Sequence, residues 1–150
     1  MYASFPMKCT TFVQRLAFSC LLVLFSQISH AADFDALVGV YSFRTPYGDR
    51  DIDVVKVEKE GTQYIVYTNV SYTGLQWSSG EVAQPAKLES YAEMLAQAKF
   101  DASAAGLETS KAAILQLPAG WRSGPYKTDT GFLWISYAGA FEVKKRELGK

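Results

Sequence analysis

The residues of this chain best placed for metal chemistry are three aspartates at alternate positions, Asp49, Asp51 and Asp53. Glu60 follows eleven residues after Asp49, and a calcium loop uses this outline to surround the ion with oxygen ligands at about 2.3–2.6 Å. Such a loop turns sharply at its sixth position, which favours glycine, whereas this chain has Val54 there. We therefore predict a row of solvated aspartates on one strand face, with a calcium contact as the alternative.

Catalytic chemistry has few side chains to use outside residues 1–31. The only histidine and both cysteines lie within that segment. The remaining chain therefore has no Ser-His or Cys-His pair for nucleophilic catalysis, and a zinc site would need carboxylates alone. A carboxylate-based hydrolase using acids such as Asp51, Asp53 or Glu81 is the enzymatic alternative. We predict that the protein is not an enzyme and has no cofactor.

Residues 1–31 have the layout of an export signal. A basic stretch precedes the apolar core Ala17–Phe25, and small residues precede a predicted cut after Ala31. The apolar core is shorter than the about 20 residues that a membrane span requires, so we expect no stable anchor after cleavage. A complete signal begins at Met7, which we predict to be the true start. These features predict a periplasmic or secreted protein.

Cleavage would leave residues 32–150, which is enough for one small domain. It would also remove Lys8 and Arg15, leaving 13 basic and 15 acidic residues. Such a balance provides no basic excess to hold nucleic acid. The remaining domain has no cysteine, so its stability depends on buried apolar and aromatic side chains rather than on disulfides.

The pattern of apolar residues predicts an α+β domain, with an antiparallel meander of about five to seven strands and one helix. The first three strands are predicted at Leu37–Thr45, Arg50–Glu60 and Thr62–Ser71, because short turn sequences separate them. A change of apolar phase within the second strand predicts either a β-bulge near Val54 and Val55 or a strand that is covered on both faces.

The helix is predicted over Pro85–Ala102. Proline suits the first helical position, and apolar side chains recur at intervals of three or four residues between Leu88 and Ala98. Thr109–Leu117 is compatible with a helix or with a strand, and we favour a short strand from Ala113.

Three segments complete the predicted domain. Ala119–Gly131 is rich in glycine and polar residues and is predicted to be a long connection. Phe132–Tyr137 is apolar on both faces, which is typical of a central strand. Phe141–Leu148 alternates apolar and charged residues before a charged end and is predicted to be the final strand.

Two similar segments, Trp77–Gly80 and Trp121–Gly124, each place a tryptophan before small residues in a predicted loop. An exposed tryptophan can anchor a protein partner, since it offers a large apolar area with few rotamers to restrict. The alternative is that each indole folds back to cover one end of the sheet. The predicted partner-binding residues are Trp77, Trp121, Arg122, Tyr126 and Lys127.

Basic side chains provide a second indication of a partner. Arg122, Lys127 and the closing run Lys144–Arg146 are suited to receive an acidic protein. The alternative is that charges at the end of a final strand protect a sheet edge and keep the protein soluble.

Leu37, Gly39 and Tyr41, at alternate positions, resemble the opening of lipocalin-type barrels, in which a Gly-x-Trp motif enters the first strand. The resemblance covers five residues and has tyrosine in place of tryptophan. The short chain and the predicted helix over Pro85–Ala102 depart from that family. The resemblance implies a barrel that carries a small apolar ligand. In such a barrel, or in a cavity between sheet and helix, the ligand would be lined by Tyr41, Phe43, Tyr64, Tyr67 and Trp134. The alternative is that these residues are ordinary core side chains.

The chain lacks a catalytic set of residues and a basic excess for nucleic acid, and it has tryptophans in predicted loops. Together these features predict a non-catalytic, exported binding protein. Its partner is predicted to be another protein, with the domain acting as an inhibitor, an immunity protein or an adaptor. The first alternative is the lipocalin-like carrier of an apolar ligand. The second is an envelope assembly component, for which a stable homo-oligomer would be the sign. The sequence does not determine the oligomeric state.

Overall fold

The computed structural model describes residues 33–45, 50–69, 71 and 76–149. The chain divides into two units, Met1–Ala31 and Ala32–Lys150, and all of the described residues belong to the second. The predicted export signal, its cut after Ala31 and the start at Met7 lie outside the described residues and stay predictions. No helix among the described residues combines the length and the hydropathy needed to cross a membrane.

The described part of the chain is mostly antiparallel β-sheet with one short α-helix. A 3-10 helix spans Phe34–Leu37, and helix α1 spans Leu88–Ala92. The strands are β1 Gly39–Arg44, β2 Asp51–Glu60, β3 Gln63–Thr68, β4 Glu81–Val82, β5 Gln84–Pro85, β6 Ala105–Glu108, β7 Ala112–Gln116, β8 Trp121–Ser123, β9 Tyr126–Thr128, β10 Phe132–Ser136, β11 Gly139–Glu142 and β12 Lys144–Arg146.

The strands form two five-stranded sheets, in the orders β12-β1-β2-β3-β4 and β11-β10-β7-β6-β5, and a separate hairpin β8–β9. A continuous segment joins the two sheets at each side. Only Ala83 separates β4 from β5, and only Val143 separates β11 from β12. Both linking residues are buried. The two sheets therefore enclose one core in the manner of a small up-and-down barrel.

The interior of this barrel is filled by side chains from both sheets. Tyr41 and Val55 of the first sheet and Leu107 and Ile114 of the second belong to one cluster, and none is more than 1% exposed. The Tyr41 hydroxyl donates a hydrogen bond to the carbonyl oxygen of Leu37 at 2.6 Å. That bond ties the 3-10 helix to the core.

Gly39 allows β12 to approach β1 closely. A Cβ atom at this position would lie 2.8 Å from the carbonyl oxygen of Arg146, which is closer than real Cβ contacts. The glycine in the Leu37-x-Gly39-x-Tyr41 pattern therefore has a packing reason: any side chain would push β12 away from the first strand.

A second apolar cluster covers the outer face of the second sheet. Leu115 of β7 and Leu133 of β10 are buried together with Leu95 and Ala98, which follow α1. Trp121 of β8 packs against the same cluster. The helical segment and the hairpin therefore lie outside the barrel, where they shield apolar side chains of the second sheet from water.

Three local predictions are confirmed. Tyr41 pairs with Val55 and Ser42 pairs with Asp53, so Val54 is the extra residue of a β-bulge. The ambiguous Thr109–Leu117 segment contains strand β7. Strand β10 is central, because it pairs with β7 on one side and with β11 on the other.

The helix predicted over Pro85–Ala102 is wrong in extent, because α1 covers only Leu88–Ala92 and Pro85 belongs to β5. Ala96 and Gln97 have φ angles of 56° and 57°, which a right-handed helix cannot contain. The periodic apolar residues still reach a buried cluster, but the later ones do so from turns. The apolar residues after α1 are therefore buried by tertiary packing and not because the helix continues.

The long connection predicted over Ala119–Gly131 is also wrong, because it contains the hairpin β8–β9. Gly124, with a φ of 55°, and Pro125 form the hairpin turn. The sequence predicts about five to seven strands, whereas the described residues form twelve. Single-residue breaks at Ala83 and Val143 divide continuous segments, and the polar hairpin lacks the apolar alternation that identifies a strand.

Candidate functional site

A surface groove of about 580 Å³ lies where the hairpin β8–β9 meets β1 and β11. Charged and apolar side chains line this groove, including Arg44, Tyr126, Lys127, Leu133, Ala140 and Glu142. Tyr126 and Ala140 are partly buried against the outer apolar cluster, above the buried Leu133, and they form an apolar floor.

The groove exists because the barrel wall is unpaired at this place. Strand β1 pairs with β12 only as far as Ser42, although its pairing with β2 continues to Arg44. Among the described strands, β11 pairs with β10 alone. Within the described residues, Phe43–Arg44 and Ala140–Glu142 therefore form no ladder with each other, and we call this gap the seam. The rings of Phe43 and Phe141 make an edge-to-face contact across it, with 5.2 Å between their centroids.

The carboxylates that line the groove are already engaged. Glu142 Oε1 accepts hydrogen bonds from the backbone N–H groups of Asp129 at 2.6 Å and Thr130 at 2.9 Å. Asp129 Oδ1 pairs with the Arg122 guanidinium at 2.8 Å. The hydrogen bond from Arg122, together with its charge, lowers the pKa of Asp129 below the ordinary value. Both acids therefore have donors or cations from the protein itself.

Cations of the groove are less completely paired. The side chains of Arg44 and Lys127 are exposed, and neither makes a hydrogen bond or ion pair with another residue in the described part of the chain. Lys144 has one long ion pair with a described residue, 3.4 Å from its ammonium to Asp51. The groove therefore combines an apolar floor with positive charge that is available to a ligand.

Four of the five predicted partner-binding residues lie on the hairpin: Trp121, Arg122, Tyr126 and Lys127. Tyr126 and Lys127 also line the groove, whereas Arg122 is occupied by Asp129. Trp77 lies elsewhere, on the connection between β3 and β4, where it forms an isolated bridge with Asn69. The hairpin therefore unites most of the predicted residues, and Trp77 is separate from it in the chain.

The two tryptophans predicted in loops both have structural contacts. Trp121 begins β8, stacks on Phe100 with 6.1 Å between centroids, and donates from Nε1 to the Lys99 carbonyl oxygen at 3.3 Å. The Lys56 ammonium lies 5.7 Å from the Trp77 ring centroid. Trp121 thus folds back over the outer cluster, as the alternative interpretation expected, and its role in partner binding stays a prediction.

Of the residues predicted for an apolar ligand, Tyr64 is partly buried against the interior cluster, whereas Tyr67 lies outside that cluster. Tyr64 donates its hydroxyl to Asp35 Oδ1 at 2.5 Å and packs edge to face on Phe34. Tyr67 alternates with the buried Val66 and so points to the outer face, where the Lys56 ammonium lies 4.2 Å from its ring centroid.

The other three predicted ligand residues, Tyr41, Phe43 and Trp134, belong to the interior. Tyr41 is completely buried, while Phe43 and Trp134 are partly buried against the same cluster. The Trp134 ring lies 5.5 Å from that of Phe141, and its Nε1–H is buried without a hydrogen-bond acceptor among the described residues. This donor is an orphaned polar group in an aromatic environment.

The acidic residues considered for metal binding or hydrolysis have basic partners. Asp51 pairs with Lys144, and Asp53 pairs with Arg146 at 2.5 Å. Glu81 pairs with Lys111 and accepts a hydrogen bond from the Ser110 hydroxyl. Asp49 lies outside the described residues. The described segments contain no group of three or more His, Cys, Asp or Glu side chains placed to hold a metal ion.

The structure brings into the groove several residues that sequence reasoning missed. Arg44, Leu133, Ala140 and Glu142 reach it from three different strands. The sequence signals for such a site were the aromatic Tyr126 and the basic character of Lys127 and the C-terminal run, which suggested an acidic partner. Strand residues gave no comparable signal, because apolar alternation identifies a strand without identifying its neighbours.

An acidic group outside the groove gives a pH-dependent prediction. The hydrogen bond from Lys59, followed by that from Tyr64, lowers the pKa of Asp35 below its ordinary value of 3.8. A carboxylate with a depressed folded-state pKa stabilises the fold above the unfolded-state pKa, and this stability is lost as the pH falls through the folded-state pKa. Urea unfolding at a series of acidic pH values will show a smaller loss of stability for Asp35→Asn than for the parent protein.

The matched control for this experiment is Glu89→Gln, an exposed acid without a described ion pair. It is expected to keep the parent's dependence on pH. An Asp35→Asn protein whose stability falls as steeply as that of the parent would show that the Asp35–Lys59 contact does not contribute.

No protein-family model, curated protein or solved structure matches this chain.

Proposed function

We propose that this protein is a non-catalytic binding protein whose groove receives an acidic segment of a protein partner. The observation that carries the proposal is the pair of cations Arg44 and Lys127, which lie beside an apolar floor without an ion-pair partner in the described segments. Asp129 and Glu142 already have donors, so an incoming carboxylate need not displace either of them.

The charges and the apolar lining of the groove support a protein partner. Charge-assisted hydrogen bonds from Arg44 and Lys127 would orient the acidic side chains, and such complementarity increases association rate and specificity. Burial of apolar partner side chains against the partly exposed Tyr126 and Ala140 would add affinity. A partner held this way is consistent with the inhibitor, immunity or adaptor role, and with an exported location, which remains part of the proposal.

The test uses an array of immobilised peptides in which apolar residues are flanked by acidic, neutral or basic residues. We expect the parent protein to prefer the acidic peptides. The double variant Arg44→Glu/Lys127→Glu is expected to lose at least about tenfold in affinity for them, equivalent to about 1.4 kcal/mol. Fluorescence anisotropy with soluble copies of the best peptides measures the change.

The matched control is Lys87→Glu/Lys99→Glu, which makes the same change in net charge at exposed lysines without described ion pairs. It is expected to bind acidic peptides within about twofold of the parent, because rim charges away from a site have small effects. The proposal fails if the parent shows no preference for acidic peptides, or if the control loses as much affinity as the groove variant.

A second candidate function, transport of a small apolar molecule, is favoured by the buried Nε1–H of Trp134, which has no acceptor among the described residues. Such a donor costs about 1–3 kcal/mol, so a bound molecule with an oxygen acceptor would stabilise the protein. The filled interior around Tyr41 limits the space for one. Native mass spectrometry of the purified protein decides: a co-purified apolar molecule supports transport, and an empty protein contradicts it.

A further inference from the structure

We infer that the occupant of the groove is an extended acidic segment that pairs its backbone with the free edge of β11, as an added strand. The inference rests on the proposed function, since it specifies how the partner is held at the same groove. The partner would then bind by β-strand addition, in which backbone hydrogen bonds provide affinity and side-chain contacts provide selectivity.

The register of β10 and β11 shows which backbone groups face the seam. Ser136 and Gly139 flank a two-residue turn, and the pair that flanks such a turn is hydrogen-bonded. Bonded and non-bonded pairs then alternate along an antiparallel ladder, so Phe141 is bonded to β10 whereas Ala140 and Glu142 are not. The N–H and C=O groups of Ala140 and Glu142 therefore point away from β10 and into the groove.

No described residue occupies this edge. Among the described strands, β11 has β10 as its one neighbour in the sheet. The pairing of β1 with β12 ends at Ser42, before β1 reaches the seam. Outside the β10 ladder, the backbone of Ala140 makes no hydrogen bond with a residue in the described part of the chain. A strand edge with unpaired N–H and C=O groups is a template for another strand.

The hairpin presents a second set of backbone groups to the groove. Ser123 and Tyr126 flank its two-residue turn, so the same alternation leaves the backbone of Lys127 facing away from β8. An extended segment beside β11 would also lie next to Lys127, since strands β9 and β11 are in contact.

Side-chain chemistry selects an acidic segment for this edge. Successive side chains of a strand alternate between its two faces, at about 3.3 Å per residue. An alternating acidic and apolar sequence would therefore direct its carboxylates to Arg44 and Lys127 on the outer face and its apolar side chains to the rings of Phe43 and Phe141 on the inner face. A basic segment would place like charges together, which costs free energy.

The experiment uses a fluorescein-labelled peptide with the sequence Gly-Glu-Leu-Glu-Leu-Glu-Gly and a set of copies that are each N-methylated at one backbone amide. Strand addition predicts that methylation at alternate amides weakens binding by at least about tenfold, while methylation at the intervening amides changes it by less than about twofold. Fluorescence anisotropy against the full protein measures each affinity. If all methylated copies bind within about twofold of the parent peptide, strand addition is wrong and the proposed function stands on side-chain recognition alone. If the unmethylated peptide does not bind, both proposals are wrong.

Amide hydrogen exchange provides an independent readout on the protein. Binding of the unmethylated peptide is expected to slow exchange at Ala140 and Glu142 by at least about tenfold, because these amides gain hydrogen-bond partners. The Phe141 amide is the internal control, since it is already bonded to β10. Bound peptide with unchanged exchange at Ala140 and Glu142 would overturn the inference.

Discussion

Replacing Tyr41 with alanine will lower the free energy of unfolding by about 3–5 kcal/mol, the range measured when large aromatic side chains are removed from cores. The ring is completely buried, and it packs edge to face on Phe132 with 5.5 Å between centroids. Its loss leaves a cavity at the point where the two sheets meet. Urea unfolding of the parent and the variant, followed by circular dichroism, measures the change.

Tyr41→Phe separates the hydroxyl from the ring. This variant keeps the packing but removes the donor to the Leu37 carbonyl oxygen, so a loss of about 1–3 kcal/mol is expected. It also remains testable if Tyr41→Ala does not fold. If the Tyr41→Phe variant has the same free energy of unfolding as the parent, the buried hydrogen bond does not hold the 3-10 helix to the barrel.

The second large effect is expected for Thr128→Val, which will lower the free energy of unfolding by about 2–4 kcal/mol through the loss of buried hydrogen bonds. Thr128 is completely buried, and its Oγ1 accepts hydrogen bonds from the N–H groups of Gly131 at 2.9 Å and Phe132 at 3.0 Å. Valine has nearly the same shape but leaves the Gly131 donor without this acceptor. The same denaturation assay measures the loss.

Thr128→Val also tests the groove, because Thr128 ends β9 and precedes the residues that bind Glu142. We expect the acidic peptides to bind this variant more weakly than the parent, since the hairpin loses part of its attachment to β10. Thr62→Val, at an exposed threonine, is the matched control and is expected to change stability by less than about 0.5 kcal/mol. Equal stability of the two valine variants would contradict the structural role of Thr128.

Much of the local structure was predictable, because apolar alternation records which strand face is buried. The phase change in β2 predicted the bulge at Val54, and the two-faced apolar run predicted that β10 is central. The helix over Pro85–Ala102 failed for a physical reason. A spacing of three to four residues shows that side chains share one face, but turns at Ala96 and Gln97 meet this requirement as well as a helix does.

The candidate site was less predictable than the strands. The hairpin residues Tyr126 and Lys127 were identified from residue type, and both line the groove. Arg44 and Glu142 were not identified, since each is an ordinary charged residue within a strand. Their significance depends on partners: Glu142 is occupied by backbone donors, whereas Arg44 has no ion-pair partner among the described residues.

The sequence by itself determined the chemistry available to this protein after residues 1–31: carboxylates, amines, hydroxyls and aromatic rings, without imidazole or thiol. It also predicted the positions of β1, β2, β3, β7 and β10, since local alternation is encoded by neighbouring residues. Only the tertiary structure decided that β11 and β12 pair with different sheets, which leaves the seam beside Ala140 unpaired. The reason is that the partner of a strand edge is chosen by segments far apart in the chain, here β1 and β10, and no local pattern records that choice.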